Sequence, residues 1–362
     1  MSAQDQSKHL CRWAAEWRRE WTLPANSAHS QRTIQFDSTP AIDRLMNPYL
    51  RMTIAVLMAS VSASALACSS SACSLSSDWE SETFSASGRW RLNLRYDYQD
   101  QSQLRSGTHA VDRVSYPLPN DQEIQIDTIH RYLTLGIDRS FGAHWAIDLQ
   151  LPFIDRDHDT FAQGDTEPST SHSRGLGDIR LLARYQGLGG DKNTGLQFGL
   201  KLATGRGDDS LSGGPSVEQP LDRGLQLGSG TFDALLGIYH LGALNQYWDY
   251  FAQAQVQIPL DSREYYRPGN ALSANVGLRY RAWEMLQPQV QLTAKVSARD
   301  SGLDADTDNS GGTRVDLSPG LSWRVDKRFS VYAFVQFPLY QRVNGLQLTP
   351  RITTSLGLHY VF

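Results

Sequence analysis

The chain of 362 residues contains three cysteines, Cys11, Cys68 and Cys73. None stands with a histidine at metal-finger spacing, so no zinc module is expected. Long apolar runs are missing as well. Mean hydropathy is −0.42, and nowhere is there the run of about 20 apolar residues that a membrane-crossing helix needs. There is no excess of one charge: 34 Lys and Arg stand against 38 Asp and Glu, a net of −4. No nucleic-acid partner is therefore expected. The Gly-rich stretch 205–214 holds no Gly-Lys-Ser or Gly-Lys-Thr, which excludes a phosphate-binding loop. Beyond residue 89 no helical periodicity is evident. A transmembrane β-barrel survives all of these exclusions, because every second strand residue faces a polar interior.

Residues 53–67, Thr-Ile-Ala-Val-Leu-Met-Ala-Ser-Val-Ser-Ala-Ser-Ala-Leu-Ala, form a short apolar core behind Arg51 and end in small residues. Such a segment reads as a signal peptide, spanning 46–67, with an A-x-A site cleaved after Ala67. Residues 1–45 are polar and have no export character. Met46 or Met52 is the expected start, with 1–45 a gene-model artefact; a genuine cytoplasmic extension is the alternative. Cleavage would leave Cys68 first. It would then be either a lipid anchor or half of a Cys68–Cys73 disulfide in an oxidising periplasm. The Ser-rich residues 68–88 read as a flexible periplasmic lead-in.

From residue 89 to 362 one pattern repeats. Trp90, Leu92, Leu94, Tyr96 and Tyr98 alternate with Arg89, Arg91, Asn93, Arg95 and Asp97. Side chains alternate across a strand, so this is a strand with one apolar and one charged face. Seven further segments, starting near 145, 178, 196, 252, 272, 289 and 351, do the same, and four less regular ones lie at 126–138, 231–241, 314–325 and 329–339. The expected fold is all-β, an antiparallel transmembrane barrel of about twelve strands, an even number as such barrels have. Longer connections (99–123, 154–176, 206–230, 261–270, 299–313 and 340–349) alternate with shorter ones (139–144, 187–194, 242–248, 283–287 and 326–328). Long extracellular loops and short periplasmic turns produce that alternation.

The apolar faces carry aromatics at the periplasmic end: Trp90, Trp145, Tyr185, Tyr250, Tyr280, Trp323, Tyr360 and Phe362. They are the expected girdle at the bilayer interface. The opposite faces point Arg91, Arg95, Arg180, Arg184, Lys201, Arg279, Arg281, Lys295, Arg324 and Arg351 inward, together with Asp97, Asp138, Asp148, Asp178 and Asp316. That lining predicts either a positively biased pore or salt bridges that fill a narrow barrel. A soluble sandwich would also alternate, but the aromatic girdle and the polar lining favour the membrane. Outer-membrane lipid, lipopolysaccharide, the barrel-assembly machinery and a small solute are the expected partners, and no cofactor is expected.

Three motifs stand out. Gly175-Leu176-Gly177-Asp178-Ile179-Arg180 and Gly228-Ser229-Gly230-Thr231-Phe232-Asp233 each open a strand, and Leu202-Ala203-Thr204-Gly205 closes one between them. In these motifs the chain, over roughly 90–362, resembles outer-membrane proteins of the phenol-degradation meta-pathway type. The resemblance implies the barrel fold and a transport role, the family name being tied to hydrophobic aromatic compounds. The leading expectation is a channel for small solutes, aromatic or anionic. A non-conducting barrel with ligand- or surface-binding loops and an outer-membrane hydrolase are the alternatives. For the hydrolase, His172 and His158 are the tempting groups, but both sit in expected polar loops and no nucleophile–base constellation accompanies them. Asp304-Ala305-Asp306-Thr307-Asp308-Asn309 resembles the start of a calcium loop, yet Asn309 replaces the required Gly and Val315 the final Glu.

Overall fold

Alternating segments can bury one face and hydrate the other only by pairing edge to edge. In the computed structural model, which describes residues 89–188 and 193–362, they do so. The expected signal peptide 46–67, the extension 1–45, the lead-in 68–88 and the alternatives for Cys68 lie outside the described residues. Thirteen strands follow: β1 (Trp90–Gly107), β2 (His109–Ala110), β3 (Ile124–Phe141), β4 (Trp145–Phe161), β5 (Ser169–Leu176), β6 (Arg180–Leu188), β7 (Thr194–Lys201), β8 (Asp233–Ala243), β9 (Trp248–Pro259), β10 (Ala271–Tyr280), β11 (Leu286–Ser297), β12 (Gly312–Arg324) and β13 (Phe329–Val361). Among the described residues the only helical elements are single 3-10 turns at Arg113–Ser115 and Arg223–Leu225.

One sheet runs β13-β12-β11-β10-β9-β8-β7-β6-β4-β3-β1, and β13 pairs back onto β1, closing the ring. β2 is a short addition to β1, and β5 pairs β4 beyond the stretch that pairs β6. Every pairing is antiparallel, and a ring of eleven strands cannot be antiparallel throughout. The 33-residue β13 resolves the parity. Residues 330–343 pair with β12, while 343–361 pair with β1. Gly345, at φ +55°, sits where the strand reverses. Across that reversal the Gln341 amide donates to the carbonyl of Pro350 at 2.8 Å, and the Tyr332 and His359 rings lie 5.0 Å apart. β13 thus crosses the wall twice and supplies two of twelve staves.

Closure leaves no unpaired edge, which a bilayer demands. It also inverts the usual core. Among the described residues 38 buried side chains are polar or charged and 18 are apolar. Leu236, Ile238, Val276 and Leu356 on the outside are about half exposed. A continuous apolar face of this kind is disfavoured in water by roughly 25 cal/mol per Å² and requires lipid.

Strand pairing extends into three connections expected as loops. β1 extends to Gly107, β4 and β5 pair from Phe153↔Leu176 to Thr160↔Ser169, and β13 is continuous through 340–349. In β4, Ile154, Arg156, His158 and Thr160 are buried while Asp155, Asp157 and Asp159 face out. Past the lipid boundary both faces are polar, so the period of two survives without its apolar signature.

Candidate functional site in the lumen

The three Gly-containing motifs meet at one point of the inner wall. Asp178, between β5 and β6, accepts from the backbone N–H of Gly205 at 3.0 Å and of Ser229 at 2.9 Å. Lys201 at the end of β7 lies 3.1 Å from both Asp178 and Asp233 and also donates to Ser229 Oγ. Thr231 donates to Asp233 at 2.8 Å. The Thr204 hydroxyl accepts from Ile179 N–H at 2.9 Å and donates to the Gly177 carbonyl at 3.0 Å. A single ammonium held between two carboxylates, with the other lone pairs filled by backbone donors at Asp178 and by Thr231 and Gln257 at Asp233, is how a buried charge becomes tolerable. The cluster fastens both ends of the β7–β8 connection, residues 202–232.

The middle of that connection enters the barrel. Arg156 donates to the Leu225 carbonyl, and Gln226 binds the backbone of Asp209 and Leu221 at 2.8 to 2.9 Å. Arg223 donates to Glu264 at 2.5 Å and lies 3.7 Å from Asp304. The hydrogen bond to Arg223 holds the Glu264 carboxyl below its ordinary range. Two cavities result, and Arg223, Gly224, Gln99 and Tyr266 line both. The inserted turn is therefore a partition. The first cavity is bordered by Lys295, Arg314, Asp300 and Asp306. The second is bordered by five cationic side chains (Arg95, Arg156, Arg180, Lys201 and Arg223) and three acidic ones (Asp97, Asp178 and Asp233). Tyr132, Pro152, Ile154, Leu227 and Pro268 give it an apolar flank.

Toward the short-turn end the inside is filled. Asp138 accepts from Arg91 Nε at 2.9 Å and from Arg184, all three buried, and Asp148 accepts from Gln150 at 2.7 Å. Tyr239, Leu241 and Phe251 form one buried cluster, and Tyr332 and Phe334 another.

The remaining expected inner residues fall as follows. Arg95 donates to Asp97 at 2.8 Å, Arg279 to Asp249 at 3.3 Å and Arg314 to the buried Asp316 at 2.7 Å. Arg281, Arg324 and Arg351 are exposed and line neither cavity. Arg281 lies just past β10 and donates to the carbonyls of Asn245 and Gln246 in the β8–β9 turn, both at 3.2 Å. Arg324 ends β12, and Arg351 stands where a register shift separates Asp100↔Ile352 from Gln101↔Pro350. Arg281 also lies 3.2 Å from Asp249, the partner of Arg279. The sequence reasoning missed Arg156 and Arg223. Arg156 shares the parity of Ile154 and His158, a signal that the acidic residues on the other face obscured.

His172 is on β5, facing out, with Nδ1 2.7 Å from Asp157 Oδ1, and His158 is buried in β4 with Nδ1 2.8 Å from the Thr128 hydroxyl. Neither lies in a loop, because β4 and β5 pair beyond the expected boundary. In the acidic loop, Asp306 accepts from Asn309 N–H at 3.2 Å and Asp308 from Arg299 at 3.1 Å. At the short-turn end, Trp145 and Tyr185 rings lie 5.0 Å apart, Trp248 and Tyr280 5.1 Å, and Tyr360 and Phe362 4.8 Å. Trp90 sits under Arg139 at 4.7 Å, Trp323 is exposed near the end of β12, and the Tyr250 hydroxyl is 2.8 Å from His240 Nε2.

A closed antiparallel ring with an apolar outside and a charged, chambered inside defines an outer-membrane β-barrel. The chain belongs to the family described as putative MetA-pathway of phenol degradation, whose model matches residues 99–346. Its fold is similar to that of an outer membrane channel from Pseudomonas putida F1, with 12% identity, TM-score 0.59, and 77% of this chain and 97% of that one covered. The β domain of a Bordetella autotransporter (17% identity, TM-score 0.43, 77% and 100% covered) and the CymD monoaromatic hydrocarbon channel (10%, 0.40, 77% and 89%) are more distant. No curated protein matches the sequence.

Proposed function

We propose that this barrel is a passive outer-membrane channel for small solutes, favouring anions and compact aromatic compounds. The observation that carries the reading is the second cavity. Cationic groups outnumber acidic ones five to three around it, and one flank is apolar. Low-dielectric walls focus such a charge bias onto a permeating ion, while Tyr132, Tyr266 and the prolines suit a ring. The monoaromatic compounds in the name of one similar channel agree with that flank. The aromatics at the short-turn end would sit at the periplasmic interface. Lipopolysaccharide would cover the apolar belt from outside, and Tyr360-Val361-Phe362 would be read by the barrel-assembly machinery.

The test is single-channel recording of the refolded chain in planar bilayers, with reversal potential under a KCl gradient and uptake of benzoate into vesicles. Anion-selective steps and benzoate entry support the reading. Silence with a correctly folded barrel would favour the second reading, a non-conducting barrel with ligand-binding loops. The buried Arg91–Asp138–Arg184 plug speaks for that alternative.

A further inference from the structure

A cation stands in the apolar outer wall without a carboxylate beside it. Arg139 continues the outward row of β3 after Leu133, Leu135 and Ile137, while its chain neighbours Asp138 and Ser140 are buried. Its cross-strand partners are Trp90 on β1 and Ile147 on β4, both exposed and apolar. The guanidinium carbon lies 4.7 Å from the Trp90 ring centroid and 5.0 Å from that of Phe141. Two rings thus hold one charged fork on the outer surface of the short-turn end. Among the described residues Arg139 forms no ion pair and no side-chain hydrogen bond.

Other exposed arginines of this barrel are balanced from within the chain. Arg174 also lies over a ring, Phe153 at 5.4 Å, but Asp155 is 3.9 Å away. Arg131 holds Asp155 at 3.0 Å and Asp157 at 2.6 Å, and Arg281 lies 3.2 Å from Asp249. Arginine does not neutralise in proteins, and on a lipid-facing wall its charge is destabilising in proportion to depth. The two rings attract the cation but carry no net negative charge. Its counter-charge therefore comes from outside the chain. At the level of an aromatic girdle lie lipid headgroups, whose anionic group is phosphate, and a guanidinium fork matches phosphate oxygens in pairs.

The geometry points to a phospholipid-binding site on the outer wall, in which Arg139, clamped between Trp90 and Phe141, holds the phosphate of a headgroup at the short-turn end. The Trp90 indole N–H, which has no acceptor among the described residues, offers a second donor. Ile147, exposed beside the arginine, offers contact to an acyl chain. Because the rings fix the fork in advance, little side-chain freedom is lost when the phosphate arrives. The site rests on the interfacial placement of the girdle proposed above, and not on conduction.

Native mass spectrometry tests the site directly. The full chain is refolded in a non-ionic detergent, its heat-modifiable mobility is checked, and lipid adducts are followed as dioleoyl-phosphatidylglycerol is titrated in. Dioleoylglycerol, with the same chains and no phosphate, and inorganic phosphate are the comparison ligands. Arg139→Gln should weaken the first phosphatidylglycerol adduct about tenfold, the scale of a charge-assisted hydrogen bond. Trp90→Leu should weaken it about threefold by removing one ring from the clamp, and serves alone if Arg139→Gln does not fold. Arg281→Gln removes a positive charge from the same end, but one that Asp249 balances, and should stay within about twofold of the wild type. Equal affinity in the wild type and Arg139→Gln overturns the site, as does dioleoylglycerol binding as tightly as phosphatidylglycerol. Displacement of the lipid by millimolar inorganic phosphate would make this a free-anion site and overturn the lipid assignment. Silent bilayers with Arg139-dependent lipid binding would remove the channel reading and keep the site. Conductance with lipid binding indifferent to Arg139 would do the reverse.

Discussion

Gly205 and Gly228 cross in backbone contact: a methyl group on either would lie 2.6 Å from the Cα of the other. The crossing brings the two ends of the β7–β8 connection together above Asp178. Gly205→Ala should force it open, at a cost of about 1–3 kcal/mol for overpacking. The transition from folded to heat-denatured gel mobility should move to lower temperature, with faster proteolysis inside 206–228. An unchanged transition would mean that the crossing relaxes freely.

Lys201 depends on Asp178 and Asp233 together, with side chains 6%, 11% and 0% exposed. Asp178→Ala leaves the ammonium one carboxylate and removes the acceptor for Gly205 and Ser229. Breaking a buried pair from one side costs about 3–5 kcal/mol. Urea unfolding of the variant in lipid vesicles should show a loss in that range. Asp233→Ala in the same background should add more than its separate effect, because only the double variant leaves the ammonium with neither carboxylate.

Asp138 is the shared acceptor of Arg91 and Arg184, all three buried. Asp138→Ala should destabilise the barrel by about 3–5 kcal/mol. It should also loosen the plug, seen as larger or noisier conductance steps. A stable variant with unchanged conductance would show that the plug relaxes without opening a path.

Arg180 borders the second cavity. Arg180→Glu turns the ratio of cationic to acidic groups there from five to three into four to four. The reversal potential under a KCl gradient should shift toward the cation side while folding is retained. Unaltered selectivity would place the selective step elsewhere.

Asp326 closes the turn between β12 and β13, accepting from the N–H groups of Arg328 at 2.5 Å and Phe329 at 2.8 Å. Those backbone bonds hold its carboxyl below the ordinary range. A depressed folded value gives stability that is present above the unfolded pKa, about 4, and lost as pH falls through the folded one. Asp326→Asn keeps acceptors but cannot titrate. Its hairpin amides should lose less protection in acid than those of the wild type, and an identical acid response would remove Asp326 from the account.

The wall was legible wherever lipid touches it. Trp90 to Tyr98 and Trp145 to Phe153 alternate because one face meets acyl chains and the other the lumen. The same parity marked Arg91, Asp138, Arg184 and Lys201, all of them buried. Arg281, past the end of β10, shares Asp249 with Arg279. The parity was silent on Arg223, whose segment has no period.

By itself the sequence determined the class of fold, because a period of two with one apolar face has few solutions when every backbone group must be paired in lipid. It also marked the three Gly-containing motifs, without revealing that they touch. Only tertiary closure decided that Asp178, Lys201 and Asp233 share one charge cluster. Only the path of an aperiodic loop decided that Arg156 meets the Leu225 carbonyl inside the barrel. Such contacts join residues tens of positions apart through side-chain geometry, and nothing in local patterning encodes a distance across a lumen.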